Sequence, residues 1–194
     1  MVKHTVFAIG LGMLIFFLYL FQYTGAFKTV VVSISDRPRY QIISKDFIGP
    51  YHKIVQTIQE VETWSKSQGF KCRLSFGEYF DDPRVVEEGR LKSRGGCLVD
   101  PLIADETKLW QALQKTTLPP DFKFEEIPET QAVVALFDGA PGIGPLKVYP
   151  KAEEFMARSQ LTRKGSVIEI YEIFDQKSMQ TTYIWPITDT KSRP

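Results

Sequence analysis

Val167-Ile168-Glu169-Ile170-Tyr171-Glu172-Ile173-Phe174 is the stretch on which the reading of this chain turns. It is rich in β-branched and aromatic residues, the composition of a strand. Alternation places Val167, Glu169, Tyr171 and Ile173 on one face and Ile168, Ile170, Glu172 and Phe174 on the other. Each face therefore carries one carboxylate among apolar groups. Taking a lone carboxylate out of water is costly, so it must be paired, protonated or meet a ligand. Glu172 lies near the strand end and Glu169 near its middle, which makes Glu169 the leading candidate for a functional group. The structural alternative is a Glu169 held by a nearby Lys, Arg or Tyr hydroxyl, with no ligand.

Working outward, the same landmarks occur twice. Gly77-Glu78-Tyr79-Phe80-Asp81 resembles Glu169-Ile170-Tyr171 through Phe174-Asp175, and Ile48-Gly49-Pro50 resembles Ile143-Gly144-Pro145. Matched landmarks in the same order, at a period of roughly 95 residues, imply a duplication. In the first copy residues 28–35 and 39–47 read as extended around an Asp36-Arg37-Pro38 turn, and Gly49-Pro50 ends the second run. Residues 51–69 read as a helix with Ile54, Ile58, Val61 and Trp64 on one face and Gly69 as its cap. Strands are expected at 72–80 and 96–102, with Asp81-Asp82-Pro83 as a turn. A short helix at 106–115, carrying Trp110 and Leu113, connects to the second copy. There, strands at 122–127 and 131–137 precede a Gly/Pro-rich loop at 139–145, a helix at 151–160, and strands at 166–174 and 181–187. Two strand–helix–strand–strand modules, about 38–103 and 122–187, predict one antiparallel sheet backed by helices, an α+β fold. They form a domain over 29–188, with 189–194 as a short tail. The seam between the modules is a natural concave place for a small molecule.

Ahead of this domain, Thr5 to Phe27 contains no charged side chain. At 1.5 Å rise per residue that run spans roughly 35 Å, enough to cross a bilayer core. It exceeds the apolar core of a cleaved signal peptide, and Thr24-Gly25-Ala26 is a poor cleavage site. Residues 1–28 are therefore expected to be a single-pass membrane anchor. Lys28, Arg37, Arg39 and Lys45 follow the span while Lys3 and His4 precede it, a bias that places the soluble part in the cytosol. Export of the domain by a signal anchor is the alternative orientation.

Composition excludes several function classes. Lys and Arg total 24 against 23 Asp and Glu, without a basic stripe, which disfavours nucleic acid as a partner. The two histidines, His4 and His52, leave no material for a His-ligated metal or a Ser-His-Asp triad, and no cofactor is implied. Cys72 and Cys97 lack metal-ligand spacing and are expected as buried free thiols. A disulfide is the alternative if the domain is exported and the two strands are neighbours.

The candidate ligand residues are Glu169 and Tyr171, their counterparts Tyr79 and Glu78, and the aromatics Tyr51, Trp110, Phe137 and Trp185. A glycine, Gly77, stands opposite Glu169 in the repeat and leaves room between the halves. A carboxylate among aromatic rings suits a cationic or polarisable ligand, through charge pairing and cation–π contact. The same group, its pKa raised by burial, could serve as a general acid or base.

Ile48-Gly49-Pro50-Tyr51, Gly77-Glu78-Tyr79-Phe80-Asp81-Asp82-Pro83, and Glu169-Ile170-Tyr171 closing on Trp185-Pro186-Ile187 together resemble the GyrI-like domain, the effector-binding domain of BmrR- and Rob-type regulators. The resemblance covers roughly residues 38–187. It implies the duplicated sheet, and it implies cationic aromatic ligands meeting Glu169. It also implies an alternative, hydrolysis of small electrophilic toxins with Glu169 as the catalytic group. A third reading makes the domain a protein-interaction adaptor at the membrane, its groove closed. The regulators' DNA-binding helix-turn-helix has no counterpart here, and Gly144-Pro145-Leu146 lacks the tyrosine of the first landmark.

Overall fold

A computed structural model describes residues 2–100, 103–173 and 179–188. Helix α1 (Val2–Thr24) leads into β1 (Val31–Arg37), β2 (Tyr40–Ile48), α2 (Ile54–Ser67), β3 (Leu74–Tyr79), β4 (Lys92–Val99) and α3 (Ala104–Leu113). Then follow β5 (Phe122–Ile127), β6 (Thr130–Phe137), α4 (Gly144–Arg158), the two-residue β7 (Thr162–Arg163), β8 (Val167–Ile173) and β9 (Met179–Thr188). The strands lie in the order β1-β6-β9-β8-β3-β4-β2-β5, with β7 attached to β9, and every pairing is antiparallel. Reading inward from either edge gives matching roles, so the halves meet at β8 and β3. Gly77 pairs there with Glu169.

The Asp36-Arg37-Pro38 turn does not close a hairpin. β1 pairs with β6, from Val31↔Leu136 to Arg37↔Thr130, while β2 pairs with β4 and β5. Residues 38–39 therefore carry the chain from one half of the sheet to the other, and residues 128–129 carry it across again. Three peptide steps reach about 11 Å at most. The sheet must curl until Arg37 and Thr130 lie beside Tyr40 and Ile127. Its concave face then packs on itself: Ile42, Phe76 and Leu98 from one half bury against Ala132, Val134, Ile168, Ile170 and Ile184 from the other, with no helix in the cluster.

The convex face carries the helices. α2 lies over β2, β3 and β4 through Ile54, Ile58 and Val61, and α4 lies over β1 and β6 through Val148, Ala152 and Met156. The central pair β3–β8 stands between them. α2 begins after a 3₁₀ turn at Tyr51–Lys53, three residues later than expected. α4 begins at Gly144, seven residues earlier than the helix expected at 151–160, with Pro145 in its first turn, where a missing N–H costs nothing. β4 runs from Lys92 rather than 96, and the remainder of the strand expected to 102 includes residues outside the described ones. Phe174 and residues 189–194 also lie outside them. Cys72 and Cys97, expected as free thiols, are joined in a disulfide that ties the approach to β3 onto β4, with Cα atoms 5.5 Å apart, inside the normal range.

α1 is long and apolar enough to cross a membrane: Lys3–Thr24 has a mean hydropathy of 2.1 and none of it is buried. Its end is fastened to the domain. The Ala140 N–H donates to the Thr24 carbonyl at 3.0 Å, and the Lys147 ammonium donates to the carbonyls of Ala26 (2.6 Å) and Lys28 (2.5 Å).

Candidate functional site

On the convex face of the seam, Glu169 is 5% exposed. Strand alternation brings it there with Val167 and Tyr171, while Ile168 and Ile170 turn into the concave core. The Tyr149 hydroxyl, from the second turn of α4, donates to Glu169 Oε1 at 2.8 Å, and the Tyr171 hydroxyl donates to Oε2 at 2.9 Å. Tyr171 receives in turn from the Tyr79 hydroxyl at 2.8 Å, which links β3 to β8 above Gly77. An added Cβ at Gly77 would lie 2.8 Å from the Tyr79 oxygen, so the glycine makes room for that hydroxyl. Tyr79, Tyr149 and Tyr171 each keep part of their surface in water.

Aromatic rings extend the wall on both sides. Tyr51 meets Tyr79 edge to face, centroids 4.8 Å apart. The Tyr51 hydroxyl donates to the Asp81 carbonyl at 2.8 Å and accepts from the Asp81 N–H at 3.0 Å. This explains why Gly49-Pro50-Tyr51 and Asp81-Asp82-Pro83 travel together: the tyrosine of one turn caps the backbone of the other. On the α4 side, Tyr149 packs edge to face on Trp185 (5.3 Å), which stacks with Tyr183. Gly144 sits directly over the Tyr183 hydroxyl, where a Cβ would stand 1.8 Å from the oxygen.

Burial pushes the Glu169 carboxyl up to about 7, against the downward pull of its two tyrosine donors. Burial and then the nearby Glu169 charge push the hydroxyls of Tyr79, Tyr149 and Tyr171 above the usual tyrosine range, so they remain donors at all physiological pH. The arrangement holds a carboxylate that gains or loses its proton near neutrality beneath a rim of tyrosine hydroxyls and ring faces. It can attract a cation, accept a proton, or donate one.

The structure gathers Glu169, Tyr171, Tyr79 and Tyr51, and brings Trp185 in through Tyr149. It does not gather three other candidates. Glu78 lies on the opposite, concave face, where Arg94 Nε donates to Oε2 at 2.6 Å and the Ser166 hydroxyl donates to Oε1. Arg94 also reaches Glu125 at 2.7 Å, so Glu78 is a member of a paired charge cluster. Trp110 is buried beneath α3 against Phe70 and Phe124, at the periphery of the first module. Phe137 is core under the first turn of α4, beside Gly139 and Gly144. Glu172, the second carboxylate of the opening stretch, is taken by Arg73, which also holds Glu106 and Asp100. Tyr149 is a functional residue that the sequence reading misses, because it falls between the loop expected at 139–145 and the helix expected from 151, with Pro145 and Pro150 on either side. Among the described residues no group of His, Cys, Asp and Glu could hold a metal ion.

Solved structures share this architecture. The C-terminal domain of EcmrR superposes with a TM-score of 0.61 at 14% identity, covering 83% of this chain and 99% of that one. EcmrR in a DNA complex gives the same TM-score at 13% identity, over 97% of this chain and 69% of that one. A hydrolase from Listeria innocua gives 0.51 at 13% identity, over 87% of this chain and 98% of the other. At these identities the likeness is one of fold. No curated protein matches the sequence. The family model for the GyrI-like small molecule binding domain matches residues 31–188, from the first residue of β1 to the last of β9, and the chain belongs to that family.

Proposed function

We propose that this protein is a membrane-tethered receptor for small aromatic cations, held at Glu169 in the seam between the two modules. One observation carries the reading. Glu169 is buried, yet its partners are neutral hydroxyls, whereas Glu78 is matched by Arg94 and Glu172 by Arg73. Two tyrosine hydroxyls alone would also satisfy a Glu169 with no ligand, but once ionised its negative charge has no protein cation to meet it, and that unmatched charge supports a cation from outside. Tyr79, Tyr149 and Tyr171 supply the ring faces and, being partly exposed, the way in. Residues 1–28 serve as the anchor and 29–188 as the binding domain, on the exported side, where the Cys72–Cys97 disulfide persists and outweighs the charge bias around the span. The test is titration of the detergent-solubilised full chain with tetraphenylphosphonium. Glu169→Gln should weaken binding about 10- to 100-fold, the worth of a charged contact. Equal binding by the variant, or no binding by the native chain, overturns the reading.

A Glu169 that titrates near neutrality also supports a second reading, hydrolysis. Glu169 would take a proton from water as the oxygen bonds to an electrophilic carbon. The electrons of the broken bond would pass to the leaving atom, which Glu169 then protonates. Loss of a strained-ring electrophile on incubation with the native chain but not Glu169→Gln separates catalysis from binding.

A further inference from the structure

Five large apolar side chains stand in water around the place where α1 joins the domain. Phe27 is 67% exposed, Val31 61%, Leu136 39%, Leu146 78% and Ile173 60%. Val31 and Leu136 are register partners on the β1–β6 edge. Leu146 stands in the first turn of α4, next to the Lys147 that grips the α1 exit. Ile173 ends β8 opposite Met179, and the following residue, Gln180, donates to Asp138 in the loop that touches Thr24. Single exposed apolar residues are ordinary on any surface. These five share the end of the domain from which α1, itself exposed and apolar, emerges.

The junction is short and tied down. Six residues, 25–30, separate α1 from β1. The Ala26 N–H donates to the Phe21 carbonyl and the Lys28 N–H to the Gly25 carbonyl, which winds the exit into a turn. Gly25, at φ +75, packs so closely on Gly139 that a Cβ would stand 2.9 Å from the Gly139 Cα. With α1 in a bilayer, this end of the domain has no slack to leave the surface.

We infer that this end of the domain is a lipid-docking face, with Phe27, Val31, Leu136, Leu146 and Ile173 set into the headgroup boundary of the bilayer that α1 crosses. The inference rests on the reading of α1 as a membrane span. Apolar side chains at that depth gain by leaving water, and the exposed Lys28 beside them suits anionic headgroups. The docked face fixes α4, which carries both Lys147 and, two residues on, the Tyr149 that caps Glu169.

The experiment uses the full chain in vesicles of phosphatidylcholine and phosphatidylserine. Leu14→Cys, Leu146→Cys, Ile173→Cys and Ile48→Cys are each labelled with NBD and exposed to lipids carrying a doxyl quencher. Cys72 and Cys97 are occupied with each other. Ile48 is as exposed as the docking residues (65%) but pairs with Lys92 at the far end of the strands, so it controls for the stickiness of the dye. The expected result is strong quenching at 14, blue-shifted and quenched emission at 146 and 173, and water-like, unquenched emission at 48. If 146 and 173 match 48 while 14 is quenched, the docking face is refuted and the span stands. If 14 is unquenched, the span falls and the docking face with it.

Discussion

Replacing Glu169 by Gln should raise the stability of this domain at alkaline pH, the reverse of what deleting a hydrogen-bonded buried residue usually does. Burial raises the Glu169 carboxyl from 4.5 to about 7. In the unfolded chain the group ionises near 4.5; in the folded chain it keeps its proton until about 7. Between those values the native state binds the extra proton, so the stability contributed by the protonated group is present in full below 4.5 and is lost as pH rises through 7. A gap of about 2.5 pH units at 1.36 kcal/mol each amounts to roughly 3 kcal/mol. For a domain of this size that is roughly 6–12 °C in Tm. Gln fills the same volume, and its amide can meet both tyrosine hydroxyls after they reorient, but it carries no charge to desolvate. Urea unfolding of the native chain and Glu169→Gln, each at pH 5 and pH 8, reads the effect. The native midpoint should fall between the two pH values, the variant midpoint should stay nearly level, and the variant should be the more stable at pH 8. Midpoints that fall in parallel would show that Glu169 does not carry the proton, and the argument from an unmatched buried carboxylate would fail. The same proton governs ligand: a tetraphenylphosphonium site at Glu169 should bind more tightly at pH 8 than at pH 5, and Glu169→Gln should abolish that difference.

Three other perturbations probe the frame around the seam. Arg94→Met removes the cation from a Glu78 side chain that is almost wholly buried, and should cost about 3–5 kcal/mol by chemical denaturation, recovered in large part by adding Glu78→Gln. Cys72→Ser should cost about 2–4 kcal/mol in oxidising buffer and nothing beside a native chain treated with reductant, as read by thermal unfolding of both under both conditions. Gly96→Ala places a Cβ 2.0 Å from the Ile43 carbonyl oxygen, forcing β4 away from β2; a loss of about 3 kcal/mol or more in urea is expected, against little effect for Gly142→Ala, where the added carbon meets nothing.

Strand alternation in 167–174 already separated Glu169 and Tyr171 from Ile168 and Ile170, and the repeated landmarks already set β3 against β8. Alternation in 74–80 likewise put Glu78 on the face opposite Tyr79. Alternation does not say which face receives the helices, and so leaves Glu78 and Tyr79 equal candidates for the ligand. Tyr149 escaped because two prolines five residues apart look like punctuation. In fact Pro145 lies in the first turn, and Pro150 is carried within a helix anchored on the sheet by Val148, Ala152 and Met156. The pairing of β1 with β6 was not legible either. A three-residue turn between two extended runs carries the local signature of a hairpin, and only the wish of both halves to close one curled core sends the strands apart. The disulfide depended on the same long-range fact, the adjacency of β3 and β4.

The crossing at residues 38–39 has a consequence for how the chain is made. β1 leaves the ribosome well before its partner β6, which is about 100 residues behind it. At 5–20 residues per second, β1 waits roughly 5–20 s for a neighbour. During that interval Val31, Val32 and Ile34 stand unpaired. Shielding of that unpaired strand, as by a holdase chaperone, therefore favours biogenesis, and stalled chains ending before Phe137 should be the aggregation-prone species.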